Sequence, residues 1–114
     1  MLAKEYRISK TKDYNLVYKN GKKIWGRYII VYILKNKLGH NRYGIVTSKK
    51  IGKAVTRNKA KRQVRSIISL HMAKIKTSYD IVIIGRHSIG NTDFELVNKD
   101  FIITMRKSGL WCEN

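Results

Sequence analysis

The sequence predicts one α/β domain of the α+β kind, a two-layer sandwich with elements in the order α-β-β-α-β-α. Three observations carry that expectation. The run at 24–34, Ile-Trp-Gly-Arg-Tyr-Ile-Ile-Val-Tyr-Ile-Leu, is too β-branched and aromatic to prefer helix and reads as a strand. Ala60, Val64, Ile67, Ile68, His71 and Ile75 recur at spacings of three and four, the buried stripe of a long helix over about 55–76. Asp80-Ile81-Val82-Ile83-Ile84-Gly85-Arg86 is apolar on both faces, as expected of an interior strand. A chain of 114 residues, 43% hydrophobic, has room for one modest core, so residues 1–114 are expected to form a single domain.

The remaining elements follow from local signals. Thr11 can cap a short first helix, with Asp13 near its positive end. Tyr14, Val17 and Tyr18 share one face of that helix, and Gly21 suits its stop. Residues 35–41, with Gly39 and two asparagines, read as a turn; 42–48 return as a second strand, making an antiparallel pair with the first. In the last helix Thr92 and Glu95 have the spacing of a capping box. Phe94, Val97, Phe101 and Met105 supply its apolar face, and Gly109 follows its end. The sheet is mixed, with helices packed against it. A strand–helix–strand step around the long helix is ordinarily right-handed.

Charge narrows the function. Lys and Arg number 25 against 7 Asp and Glu, a net charge of +18. A charge magnitude of roughly 2–8 suffices for solubility in a small domain. Crowding so much more into one globule costs self-repulsion, which a polyanion relieves. Nucleic acid is the first candidate, because each phosphate neutralised by Lys or Arg releases condensed counterions. The single Cys112 excludes an internal disulfide and fits a reducing compartment. No apolar run approaches the ~20 residues of a membrane span, and the start lacks the apolar stretch of a secretory signal. The expected location is cytoplasmic, with no membrane partner.

The long helix carries the most informative segment, Thr56-Arg57-Asn58-Lys59-Ala60-Lys61-Arg62-Gln63-Val64-Arg65. Arg57, Lys61 and Arg65 line up at i, i+4 and i+8, with Asn58 and Arg62 in the neighbouring row. Such like charges repel in an isolated helix, and a phosphate backbone laid along them reverses the effect. Arginine adds a planar fork that can hold a phosphate bidentately or stack on a base. Asn58 can both donate and accept, as a 2′-hydroxyl or base edge requires. Upstream, Ser48-Lys49-Lys50-Ile51-Gly52-Lys53 places three lysines at the helix start, where backbone N–H groups offer a further anion site.

The pattern Arg57-Asn58-x-x-Lys61-Arg62-x-x-Arg65 is similar to the signature helix of bacterial ribonuclease P protein subunits. The lead-in 48–55, the opening Tyr6-Arg7-Ile8 and Asp13-Tyr14-x-x-Val17-Tyr18-x-x-Gly21 resemble the same family. The likeness spans almost the whole chain. Lys59 departs from it, standing where a second arginine is usual, and Tyr14 and Tyr18 stand where phenylalanine is common. The resemblance implies a left-handed βαβ crossover in the sheet, against the default handedness. It implies two partners, the ribonuclease P RNA and precursor tRNA, with no obligate protein partner. Arg57, Asn58, Lys59, Lys61, Arg62, Arg65, Lys49 and Lys53 are then expected to bind the RNA subunit. Tyr14, Tyr18 and Tyr32, with Lys10, Ser48 and Lys50 nearby, are expected to contact the single-stranded 5′ leader.

Single strands are held by aromatic platforms beside positive charge. Tyr14 and Tyr18 are one helical turn apart, and Tyr28 and Tyr32 share a strand face by period two, although Tyr28 reads as packing. Trp25 and Trp111 also read as packing. No catalytic residue is expected. The acids are Glu5, Asp13, Asp80, Asp93, Glu95, Asp100 and Glu113, and no pair is spaced for acid–base or two-metal chemistry. His40, His71 and His87 share no metal-ligand spacing, and His71 reads as a satisfied core imidazole. No protein metal site is expected; Mg²⁺ would be carried by the RNA subunit. The rival classes are a ribosomal or general RNA-binding protein with no role in tRNA cleavage, and a stand-alone nuclease.

Overall fold

The computed structural model describes residues 2–112. A mixed four-stranded sheet is built from β1 (Lys22–Trp25), β2 (Ile29–Lys35), β3 (Arg42–Val46) and β4 (Tyr79–Gly85), in the spatial order β1-β2-β4-β3. Three helices pack on it: α1 (Thr11–Asn20), α2 (Ala54–His71) and α3 (Phe94–Ser108). β4 takes the interior position that its two apolar faces predict, antiparallel to β2 and parallel to β3. The β3–α2–β4 crossover joins the parallel pair.

Alternation sorts the sheet residues onto two faces. One bears Ile24, Ile29, Val31, Ile33, Tyr43, Ile81 and Ile83. It is sealed by Ala60, Val64, Ile67 and Ile68 of α2 and Val97, Phe101 and Met105 of α3. The other bears Val82, Tyr32, Leu34, Val46 and Ile84, and α1 covers only part of it, inserting the fully buried Val17 beside Ile8.

Several expectations require correction. The run at 24–34 is two strands, because Gly26, Arg27 and Tyr28 fold into a turn. Asp100 of α3 holds that turn, accepting the backbone N–H groups of Arg27 (2.9 Å), Tyr28 (2.8 Å) and Ile29 (3.2 Å). A Cβ at Gly26 would lie 2.7 Å from the Asp100 carboxylate, so only glycine fits there. β3 does not pair with β2; β4 separates them, and 36–41 bridges the gap of about 10 Å that two strand spacings make. The expected antiparallel pair is β1–β2 instead.

Helix ends also differ. Thr11 is the first residue of α1, which Lys10 precedes without a side-chain cap bond. The Thr92–Glu95 capping box is not made: Thr92 Oγ1 donates to Ser88 O at 2.8 Å, and Asp93 occupies the cap position. α2 stops at His71, because the C-terminal segment pairs with Lys74 and Lys76. Cys112 N donates to Lys74 O and Lys76 N to Leu110 O, while Ile75 still buries its side chain. Gly109 ends α3 at φ +83°, the left-handed conformation expected of a C-terminal glycine.

Candidate nucleic-acid interface

α1 lies over the half-open sheet face. Its first turn is fastened by Arg42 of β3, whose guanidinium binds Asp80 bidentately (Nε–Oδ1 2.9 Å, Nη2–Oδ2 2.7 Å) and reaches Asp13 at 3.4 Å. The Asp80 hydrogen bond, outweighing burial, raises the Arg42 pKa, so this clamp stays charged. Further along α1, the Tyr14 ring occupies the space above Gly44, where a Cβ would approach it to 2.6 Å. Tyr18 follows one turn later, its ring 6.3 Å from Tyr14 and 5.1 Å from Tyr32 of β2, the latter edge-to-face. Three rings from two elements thus meet in one place, as the resemblance implies. Burial raises the Tyr14 pKa. Burial, then the neighbouring Tyr14 and Tyr32, raise that of Tyr18, so these hydroxyls are neutral donors at ordinary pH.

The cleft continues past these rings. Strand register places Trp25, Ile30, Ile84 and Val46 in one row across the sheet, next to the row Lys23, Tyr32, Val82 and Gly44. Ile30, Ile84 and Val46 are half-buried and form an apolar floor. Ser48 and Lys50 are exposed just beyond the end of β3, and Lys10 lies one turn ahead of Tyr14. Tyr28 does not share a face with Tyr32; it precedes β2 in the turn and packs on the sealed side, bearing out its reading as a packing residue. Trp25, by contrast, is 54% exposed on the cleft side and is no packing residue. Lys23, Arg86 and Arg42 also border this face and escaped sequence reasoning. The alternation of Lys23 and Trp25 with buried Ile24 was the available signal.

On α2, Arg57, Lys61 and Arg65 are half-buried along one edge of the apolar stripe, while Asn58, Lys59 and Arg62 are more outward on its flank. Lys49 and Lys53 are exposed in the approach to the helix, where Gly52 adopts φ +143°. Among the described residues both ion pairs belong to Arg42; none engages Arg57, Lys61 or Arg65. The ridge meets the cleft. Lys61 and Arg65, with Arg7, Tyr14 and Ile45, line a cavity of about 170 Å³ between α2, β3 and the N-terminal segment.

Three of the seven acids are engaged within the fold: Asp13 and Asp80 by Arg42, and Asp100 by three backbone amides. Glu113 lies outside the described residues. Among the described residues no three of His, Cys, Asp and Glu gather as a metal site. His71 is a satisfied imidazole, 2.7 Å from Asn98 Oδ1 and stacked on Phe101. No helix among the described residues is long and apolar enough to cross a membrane.

The family model described as ribonuclease P matches residues 2–109. The chain belongs to the ribonuclease P protein family. It is 43% identical to the ribonuclease P protein component of Syntrophomonas wolfei, over all of this chain and 96% of that one. A Staphylococcus aureus RNase P protein mutant with defective mRNA degradation activity superposes with a TM-score of 0.89 at 33% identity, covering 95% of this chain and 92% of that chain. The Thermotoga maritima RNase P protein superposes with a TM-score of 0.81 at 33% identity, covering 89% and 96%. The function is that of a ribonuclease P protein subunit, part of an endoribonuclease whose family role is processing of the tRNA 5′ leader.

Proposed function

We propose that the chain serves ribonuclease P through two RNA-binding surfaces. The α2 ridge, Arg57, Asn58, Lys59, Lys61, Arg62 and Arg65 with Lys49 and Lys53, docks on the RNA subunit. The cleft of Tyr14, Tyr18 and Tyr32, flanked by Lys10, Ser48 and Lys50, holds the 5′ leader of precursor tRNA. The observation carrying this reading is that ridge and cleft adjoin at the cavity shared by Tyr14, Lys61 and Arg65, with no carboxylate among the described residues that line it. A protein so built can grip folded RNA on one side and a single strand beside it.

The chemistry follows from that division. Mg²⁺ held by the RNA subunit would supply the activated water and the charge stabilisation of hydrolysis. The protein's own residues bind and orient. Phosphates on the ridge release counterions, and leader bases stack on the tyrosines at about 1–3 kcal/mol per base. The neutral hydroxyls of Tyr14 and Tyr18 add donors without repelling phosphate.

The test is reconstitution with a ribonuclease P RNA and precursor tRNA at low Mg²⁺. The chain should stimulate cleavage. Arg57→Ala and Arg65→Ala should each weaken assembly with the RNA and reduce the salt slope of binding by about one. Tyr18→Ala should weaken leader-bearing precursor roughly 5- to 100-fold while leaving mature tRNA unaffected. Unchanged salt slopes in both arginine variants would remove the ridge, and equal losses for precursor and mature tRNA would remove the cleft. RNA binding without stimulated cleavage would point to a general RNA-binding protein.

A further inference from the structure

Trp25 is the most exposed aromatic side chain of the cleft face. Lys23 Nζ sits 4.0 Å from the Trp25 ring centroid and 5.6 Å from that of Tyr32, so one ammonium lies between two aromatic surfaces. Arg86 Cζ is 5.5 Å from the Trp25 ring, held there because Nη1 donates to Gly26 O at 2.8 Å. No ion pair engages Lys23 or Arg86 among the described residues. The turn behind Trp25 is clamped by Asp100, so the ring stands on a fixed base.

Register sets the spacing. Lys23 faces Tyr32 and Trp25 faces Ile30 across the β1–β2 pair, making Trp25 and Tyr32 diagonal neighbours on one face. Diagonal positions of a strand pair lie about 7–8 Å apart along the backbone, a spacing of the same order as one sugar–phosphate unit of an extended strand. We propose that Trp25, Lys23 and Tyr32 form a dinucleotide site for single-stranded RNA. In it two adjacent bases stack on the two rings, and the Lys23 ammonium holds the phosphate joining them. This inference rests on the cleft reading above and carries the strand one platform further, toward β1.

Magnitudes favour occupancy over the contact seen in the free protein. A cation–π contact at an exposed site is weak. Stacking of a base on an aromatic ring is the stronger interaction, and the lysine, displaced from the ring face, regains its charge interaction on the phosphate. Arg86, tied to Gly26, keeps a second cation 5.5 Å from the Trp25 ring.

The experiment uses the reconstituted holoenzyme and precursor tRNAs whose leaders grow one nucleotide at a time. Trp25→Ala and Lys23→Gln should each lower affinity roughly 5- to 100-fold, and only for leaders beyond the length at which Tyr18→Ala first acts. Trp25→Phe should restore most of the loss, since any aromatic face can stack. Thermal melts of the free proteins confirm folding, and Lys23→Gln changes an exposed side chain that supports no core. If Trp25→Ala and Lys23→Gln bind every leader as the parent does, while Tyr18→Ala still weakens binding, the dinucleotide site is wrong and the cleft stands. If Tyr18→Ala is also silent at every length, both readings fall.

Discussion

The two faces of the central sheet contrast in what they do with apolar area. The side under α2 and α3 is closed, and Ile29, Val31, Ile67, Ile68, Ile81 and Ile83 lose essentially all contact with solvent. The side under α1 is only partly roofed, leaving Tyr18, Tyr32, Trp25, Ile30, Val46 and Ile84 half-buried or exposed. Both sides are built from the same β-branched strands. The difference is the number of helices over them, one instead of two. Sealed area stabilises the fold; the open remainder, rimmed by cations, is available to bases. An apolar face left unfinished beside positive charge is what single-strand binding requires.

The contrast can be broken most severely from the closed side. Ile67→Ala, on a fully buried residue of α2, should destabilise the protein by about 2–5 kcal/mol in urea unfolding. Below its melting range it should leave leader affinity intact. A large change in leader binding from this variant would mean the two faces are coupled and the comparison is too simple.

Gly44→Ala probes the open side with a smaller cost. The added methyl would meet the Tyr14 ring, so the ring or α1 must shift, at about 1–3 kcal/mol. Here leader affinity should fall more than stability, the reverse of Ile67→Ala. Unaltered leader binding would show that the position of Tyr14 is immaterial.

The smallest effect concerns protons. The pKa values of Tyr14 and Tyr18 are raised in the folded state. The stability tied to their neutral forms is therefore complete below the ordinary tyrosine value of about 10 and lost as pH climbs through the raised values. The difference in tyrosinate absorbance between the parent and Tyr18→Phe should appear only above about pH 10. Its appearance at lower pH would show a more open, wetter cleft than the one described.

Much of this was legible in the chain. The α2 stripe, the interior character of β4, the glycine end of α3 and the alignment of Arg57, Lys61 and Arg65 all arise from periodicities of 3.6 and 2, which are local. The cluster of Tyr14, Tyr18 and Tyr32 was expected from resemblance and is present in the geometry. Missed were the break at Gly26, the pairing partner of β3, the end of α2 and the exposure of Trp25. Each of these depends on a group distant in sequence.

Charge, helix faces and strand character belong to the sequence alone, since they arise from side-chain type and spacing along a few turns or pleats. The tertiary structure alone decided which strand lies beside which, and therefore which side chains share a face. Asp100 reaches back across 73 residues to take three amides and turn one predicted strand into a hairpin. That hairpin carries Trp25 and Lys23 onto the Tyr32 side of the sheet. A buried carboxylate must find donors wherever the fold supplies them, and spacing along the chain does not reveal which amides those are.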